Sequence, residues 1–246
     1  MKLKNNFIRF VLIFLIFTTA SYAQNGVYLL QQMDAIIGAP KDKSATVEIV
    51  TTDKFGKQKI REASMIQKGR YKKLYRYTKP EKQAGIATLT LPDDIIWMYM
   101  PAFGKPIKIT LLSKSQAFTG TDFSHEDMSG TSYGDRYNPK IEKEESNSFT
   151  ISLRPKTVKS KYSKILVKLD KENKYPIEMK YYNKNGAHFK TATYTFIKSE
   201  NYWFAENILM KDLKKQHSTE IQLKNVKFDQ GIKDDEFLVE KLQIKD

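Results

Sequence analysis

The sequence predicts a mainly β protein, an antiparallel sheet of about eleven strands curled toward a barrel, with one N-terminal helix and a helical insertion. Three observations carry this reading. From residue 45 onward apolar and polar residues alternate, which is the period of a half-buried strand. These stretches recur at intervals of about a dozen residues with turn residues between them, the rhythm of hairpin-connected strands. A single earlier stretch, 27–37, repeats at the helical period instead.

Taken in order, Val27, Leu30, Met33 and Ile37 share one helical face, widened by Leu29 and Ile36, and Gly38 and Pro40 stop the helix. Strands are expected at 45–49 and 60–66, joined by the hairpin turn Asp53-Lys-Phe-Gly56, and then at 71–77. Strands 86–91 and 95–100 form a hairpin across Pro92-Asp93-Asp94, and 105–112 follows. The stretch 95–100 is apolar on both parities, so both of its faces are expected to be covered. Residues 113–140 lose the alternation and read as a long excursion with a short helix near 124–128, a length that points to a lid or a functional loop. Strands resume at 148–153, 164–169, 176–182, 188–196, 202–212 and 218–228, with a clear hairpin turn at Asn183-Lys-Asn-Gly186. A short segment near 234–239 ends the chain.

Residues 1–23 read as an export signal. Lys2, Lys4 and Arg9 precede the uncharged run Phe10–Phe17, and Ser21-Tyr22-Ala23 offers small residues for cleavage before Gln24. The apolar run is shorter than the roughly 20 residues of a spanning helix. A periplasmic location and a single domain over 24–246 are therefore expected. The absence of Cys excludes disulfides, thiolate nucleophiles and Cys-based metal sites. With 40% apolar and 28% charged residues the chain can bury a core, which excludes global disorder.

Net charge is +14, falling to +11 without the three basic residues of the signal. Only six of the 42 basic residues are Arg, and the Lys are spread along strands. Base reading favours the planar Arg fork, and Lys on strand faces and edges prevents edge pairing. Nucleic acid is thus not the expected partner, whereas an anionic membrane surface or acidic partner fits. Catalytic motifs are absent. Of His125, His188 and His217 only His125 has acidic company, in Asp122-Phe-Ser-His-Glu-Asp127, and such a group is more simply a capped polar turn than a metal or acid–base site. There is no phosphate-binding glycine loop, paired-His motif or nucleophile elbow. Neither enzymatic activity nor a cofactor is expected.

The block Ile95-Ile-Trp-Met-Tyr-Met-Pro-Ala-Phe-Gly-Lys-Pro-Ile-Lys-Ile109, with Ser113-Lys-Ser-Gln-Ala-Phe-Thr-Gly-Thr-Asp-Phe-Ser-His-Glu-Asp-Met128, resembles the outer membrane lipoprotein-sorting protein branch of the LolA/LolB-like superfamily. The resemblance implies an unclosed antiparallel β barrel covered by helices. It implies an apolar cavity for lipoprotein acyl chains or other lipids, and a non-enzymatic periplasmic carrier. It also implies an RND-type exporter or a membrane acceptor as partner. On the residues themselves, the parity Ile96, Met98 and Met100 is expected to face the cavity, joined by Leu89 and Leu91, with Ile95, Trp97 and Tyr99 on the opposite side. Phe118 and Phe123 flank Gly120, and with Met128 they would cap the opening. Two alternatives stay open: these residues pack as ordinary core, or the apolar face meets a protein partner in an envelope interaction protein.

Overall fold

The computed structural model describes residues 25–109 and 118–243. The expected leader at 1–23 and most of the strand expected at 105–112 lie outside the described residues. Among the described residues one sheet of thirteen antiparallel strands organises the chain. In chain order these are β1 (Asp42–Thr52), β2 (Gln58–Lys68), β3 (Lys72–Lys79), β4 (Ala87–Leu91), β5 (Ile95–Tyr99), β6 (Ile107–Lys108), β7 (Tyr137–Glu144), β8 (Ser148–Pro155), β9 (Lys164–Asp170), β10 (Pro176–Tyr182), β11 (His188–Ser199), β12 (Tyr202–Asp212) and β13 (His217–Phe228). Their spatial order is β6-β5-β4-β3-β2-β1-β13-β12-β11-β10-β9-β8-β7. β6 and β7 are the two edges and do not pair, so the barrel is unclosed.

That order explains the excursion. Neighbours in sequence pair with each other everywhere except between β6 and β7, and β1 joins the two halves by pairing with β13. After β6 the chain must travel from one edge of the sheet to the other. Residues 118–136 of that connection lie against the inner face, and a hairpin turn is too short to join the two edges. The long connection is therefore dictated by topology as well as open to function.

The turns follow their residues. Gly56 has φ 81° and Gly186 φ 79°, the left-handed conformation that favours glycine. Asp53 Oδ1 and Asn183 Oδ1 each accept two backbone N–H groups of their own turns. Asp93 and Asp94, with φ 60° and 56°, make the β4–β5 turn.

Among the described residues the sheet has thirteen strands, against about eleven expected. β7 has no counterpart among the expected strands, because its sequence, Tyr-Asn-Pro-Lys-Ile-Glu-Lys-Glu, is polar and contains Pro139. An edge strand pairs on one side only and tolerates both features. The helix expected at 124–128 is a single hydrogen-bonded turn, and the short helix of the insertion is α2, Tyr133–Arg136, capped by the Ser132 side chain. In the N-terminal helix α1, residues 25–38, the buried side is Leu29, Leu30, Met33 and Asp34, while Val27 is 45% exposed.

The main core lies between α1, the excursion and the inner sheet face, around Leu30, Met33, Val47, Ile151, Val167 and Met210. A second, smaller core covers the outer face of β3–β5. There Leu74 and Leu89 pack with Phe237 and Leu242 of the C-terminal segment. Among the described residues no helix is long and apolar enough to cross a membrane.

Candidate functional site

Antiparallel pairing places directly opposed residues on the same face, which fixes what the inner surface of β1–β5 presents. One row runs Lys43, Gln67, Lys73, Thr90, Ile96. The next runs Ala45, Met65, Tyr75, Thr88, Met98. The outer face carries Leu74, Leu89 and Trp97 in a third row.

Between this inner surface, α1 and the excursion lies a cavity of about 190 Å3. Its wall is mostly apolar and is drawn from both halves of the sheet: Met65 and Tyr75 from one, Met179, Ile208 and Leu223 from the other, with Ile37 of α1 above them. The hydroxyls of Tyr133, Tyr181 and Tyr194 all point at Met179 Sδ, at 3.6, 3.5 and 3.4 Å. Burial pushes the Tyr133 phenol up to about 12 and those of Tyr181 and Tyr194 well above the usual tyrosine range. These groups stay neutral and supply area with a weakly bonded polar tip.

The excursion is held over the cavity by its own polar residues. Asp122 Oδ2 accepts from Thr219 Oγ1 at 2.7 Å and lies 2.6 Å from His217 Nδ1. Ser124 N and Oγ donate to Asp127 Oδ2 at 2.7 and 2.8 Å, and Tyr162 OH donates to Asp127 Oδ1 at 2.6 Å. Glu126 accepts Tyr137 OH, Ser160 Oγ and the Lys161 N–H at 3.0, 2.7 and 2.8 Å. Asp94 in the β4–β5 turn accepts the hydroxyls of Ser129 and Thr131. Asp34 of α1 accepts the N–H groups of Tyr133 and Gly134 at 2.9 and 2.8 Å, and burial raises its pKa against those bonds. A Cβ on Gly130 would lie 2.7 Å from Tyr71 Cα, so only glycine permits this approach to the chain just before β3. The acidic segment is thus a set of clamps. His125 is buried edge-on to Phe118, and among the described residues no group of three or more His, Asp and Glu stands where it could hold a metal ion.

Glu126→Ala removes the acceptor for one backbone N–H and two hydroxyls. We expect it to cost about 3 kcal/mol, the range for unpairing buried donors from a charged partner. Urea denaturation reads this directly, and an unchanged midpoint would show that the clamp carries no weight.

The residues singled out from sequence fall in three places. Phe123 and Met128 border the 190 Å3 cavity. Phe118 lies in the main core beside Tyr75, its N–H bonded to Phe123 O at 2.7 Å. Met98 and Met100 border a second recess of about 390 Å3 with Tyr77, Ile86 and Ile107. That recess is larger by volume but has no wall from α1 or from the second half of the sheet, and it adjoins Ile109, the last described residue before 110–117. Ile96 is buried on the same inner face as Met98. Leu89 and Leu91 sit opposite Trp97 and Ile95 and pack with the C-terminal segment on the outer face, away from both cavities. Met65, Met179, Tyr194 and Ile208 also line the cavity and carry no motif in the sequence. The inward parity of β10, which carries Met179 and Tyr181, was the available signal.

A curled, unclosed antiparallel sheet with a helix and a long crossover on its inner face is the LolA-like fold. A family model described as an uncharacterized protein matches residues 69–244, and the chain belongs to that family. Solved structures agree on the fold. A structure assigned as an outer membrane lipoprotein-sorting protein domain from Vibrio parahaemolyticus superposes with a TM-score of 0.84 at 25% identity, covering 90% of this chain and 100% of that one. A DUF1329 family protein from Desulfovibrio piger gives 0.83 at 21% identity, with 90% and 99% covered. A LolA superfamily protein from Nitrosomonas europaea gives 0.72 at 22% identity, with 88% and 97% covered. No curated protein matches the chain.

Proposed function

We propose that residues 24–246 form one exported, non-enzymatic carrier that shelters acyl chains of lipoproteins or other lipids for transfer toward the outer membrane. The single observation behind this is the Met- and aromatic-walled cavity between the inner sheet face, α1 and the clamped excursion. Met adapts to an irregular apolar ligand, aromatic rings supply area, and each methylene taken from water is worth about 0.8 kcal/mol. A cavity of this kind holds an acyl chain with few polar contacts. The likeness to an outer membrane lipoprotein-sorting domain supports the same reading.

The cavity is small for a whole acyl chain, so loading requires α1 or the excursion to move off the sheet. Both are held to it by apolar packing and polar clamps without strand pairing, and elements outside the ladder are the ones that open locally. Phe123 and Met128 ride on the excursion and would close over the cargo. Met98 and Met100 would extend the apolar path along β5. For the acceptor, the turns at 53–57 and 213–216 stand side by side at the ends of the paired strands β1 and β13. There Phe55 is 82% exposed among Lys54, Lys57, Lys214 and Lys215, a surface suited to an anionic membrane. An RND-type exporter is the proposed membrane partner on the donor side.

Native mass spectrometry of the protein taken from its own cell envelope tests the proposal. Bound lipid supports the carrier, whereas a stoichiometric protein partner without lipid would replace it by an envelope interaction protein.

A further inference from the structure

The inner row Lys43–Gln67–Lys73 spans three adjacent strands, with each residue directly opposite the next. All three line the same cavity as the acyl-binding wall. Lys43 is only 9% exposed and Gln67 4%. Side chains opposed in this way have Cβ atoms about 5 Å apart, so two lysines with an amide between them share one row of the cavity wall.

Every other charged group around the cavity is engaged. The Asp34 carboxylate takes the Tyr133 and Gly134 N–H groups, and the Asp127 carboxylate takes Ser124 and Tyr162. Arg136 donates to Glu126 O at 3.0 Å, and Arg70 donates to Asp34 O at 3.2 Å. Neither Lys43 nor Lys73 has an acidic partner among the described residues. Burial alone draws the Lys43 ammonium down to about 8. Burial, with the charges of Lys43 and Arg136 beside it, does the same to Lys73. Burial disfavours the charged form of both, so both gain from an anion beside them.

We propose that the Lys43–Gln67–Lys73 row binds the oxyanion headgroup of the acyl cargo, so that the protein selects anionic amphiphiles over neutral ones. This rests on the carrier reading and adds the polar half of the ligand to it. The chain lies along Met65, Tyr75 and Met179, and a carboxylate or phosphate at its end meets two ammonium groups and the second N–H of the Gln67 amide, whose Nε2 already donates to Gly69 O at 2.7 Å. Charge-assisted bonds in a desolvated site are the strong ones, so the headgroup fixes which way round the cargo enters.

The test compares ligands that share their chains and differ in charge, using the delipidated protein without its leader at pH 7. One pair is oleate and oleyl alcohol. The other is dioleoyl phosphatidic acid and dioleoylglycerol. At least one anionic member is expected to bind about tenfold or more tighter than its neutral partner. The oleate pair reports a carboxylate headgroup and the phosphatidic acid pair a phosphate. Lys43→Met with Lys73→Met should abolish the preference and leave neutral binding in place, and Lys43→Arg with Lys73→Arg should keep it. Equal affinities within both pairs for the unaltered protein would overturn the proposal while leaving the carrier intact, whether or not the Met variant folds. A preference that survives the Met variant would overturn it too. Binding of no member of either pair would remove the carrier reading and this site together.

Discussion

Replacing Phe237 and Leu242 together by alanine is expected to leave most of the protein insoluble. Both side chains are buried against Leu74 and Leu89 on the outer face of β3 and β4. Phe→Ala costs about 3–5 kcal/mol in a core, and Leu→Ala about 2–5. The two share one small core, so their effects will not simply add. Even so the loss rivals the whole stability of a typical domain, about 5–15 kcal/mol. It would also bare a strip of apolar strand surface next to the β6 edge, a template for aggregation. The backbone around the two residues is pinned at both ends. Asp42 accepts the N–H groups of Gln230, Gly231 and Ile232 at 2.7, 2.9 and 3.0 Å, and Arg76 donates to Leu242 O and Lys241 O at 2.9 and 2.7 Å. The C-terminal segment is therefore a strap that completes the sheet. The soluble fraction and the urea midpoint read the effect. An unchanged midpoint would show that the strap is an appendage.

Ile208→Trp is expected to lower the affinity for a fluorescent fatty acid at least tenfold without lowering stability. Ile208 is half-buried and lines the cavity opposite the β1–β3 wall. Overpacking a filled core costs about 1–3 kcal/mol. Here the larger ring has an empty space to enter, so the free energy that a ligand would gain by filling it is taken by the protein itself. Loss of binding with a retained thermal midpoint is the signature of a blocked cavity. Loss of both would mark position 208 as ordinary core, and unchanged binding would place the ligand elsewhere.

What the sequence disclosed follows from which residues carry a periodic signal. Strands with one buried face, such as β1 and β2, announce themselves because every second residue must be apolar. The split of β5 into Ile96 and Met98 on one side and Trp97 and Tyr99 on the other was legible from parity alone. Register was harder. Leu89 stands opposite Trp97, not Met98, and so faces the C-terminal strap. Both parities of β5 are apolar, so hydrophobicity could not choose between them, and only the β4–β5 turn sets the pairing. β7 escaped notice because an edge strand of Lys, Glu and Pro has no apolar face to show.

The candidate site was legible in part. Phe123 and Met128 could be picked out because they sit in a segment whose length and glycines mark it. Met65 and Ile208 could not, since they come from strands far apart in sequence and meet only through the β1–β13 junction; for Met179 the parity of β10 was the one signal. Lys43 and Lys73 look like any other Lys in a chain rich in lysine. Their inward orientation depends on where β1 and β3 begin, and strand ends are the least certain part of a sequence reading.

Native mass spectrometry of the protein released from its own cell envelope, without added detergent or lipid, decides whether this inner face shelters acyl chains. A species heavier than the polypeptide by the mass of one acyl lipid is expected, which collisional activation strips away to leave the bare chain. A spectrum of bare chain only, or of chain bound one-to-one to another protein with no lipid, would contradict it.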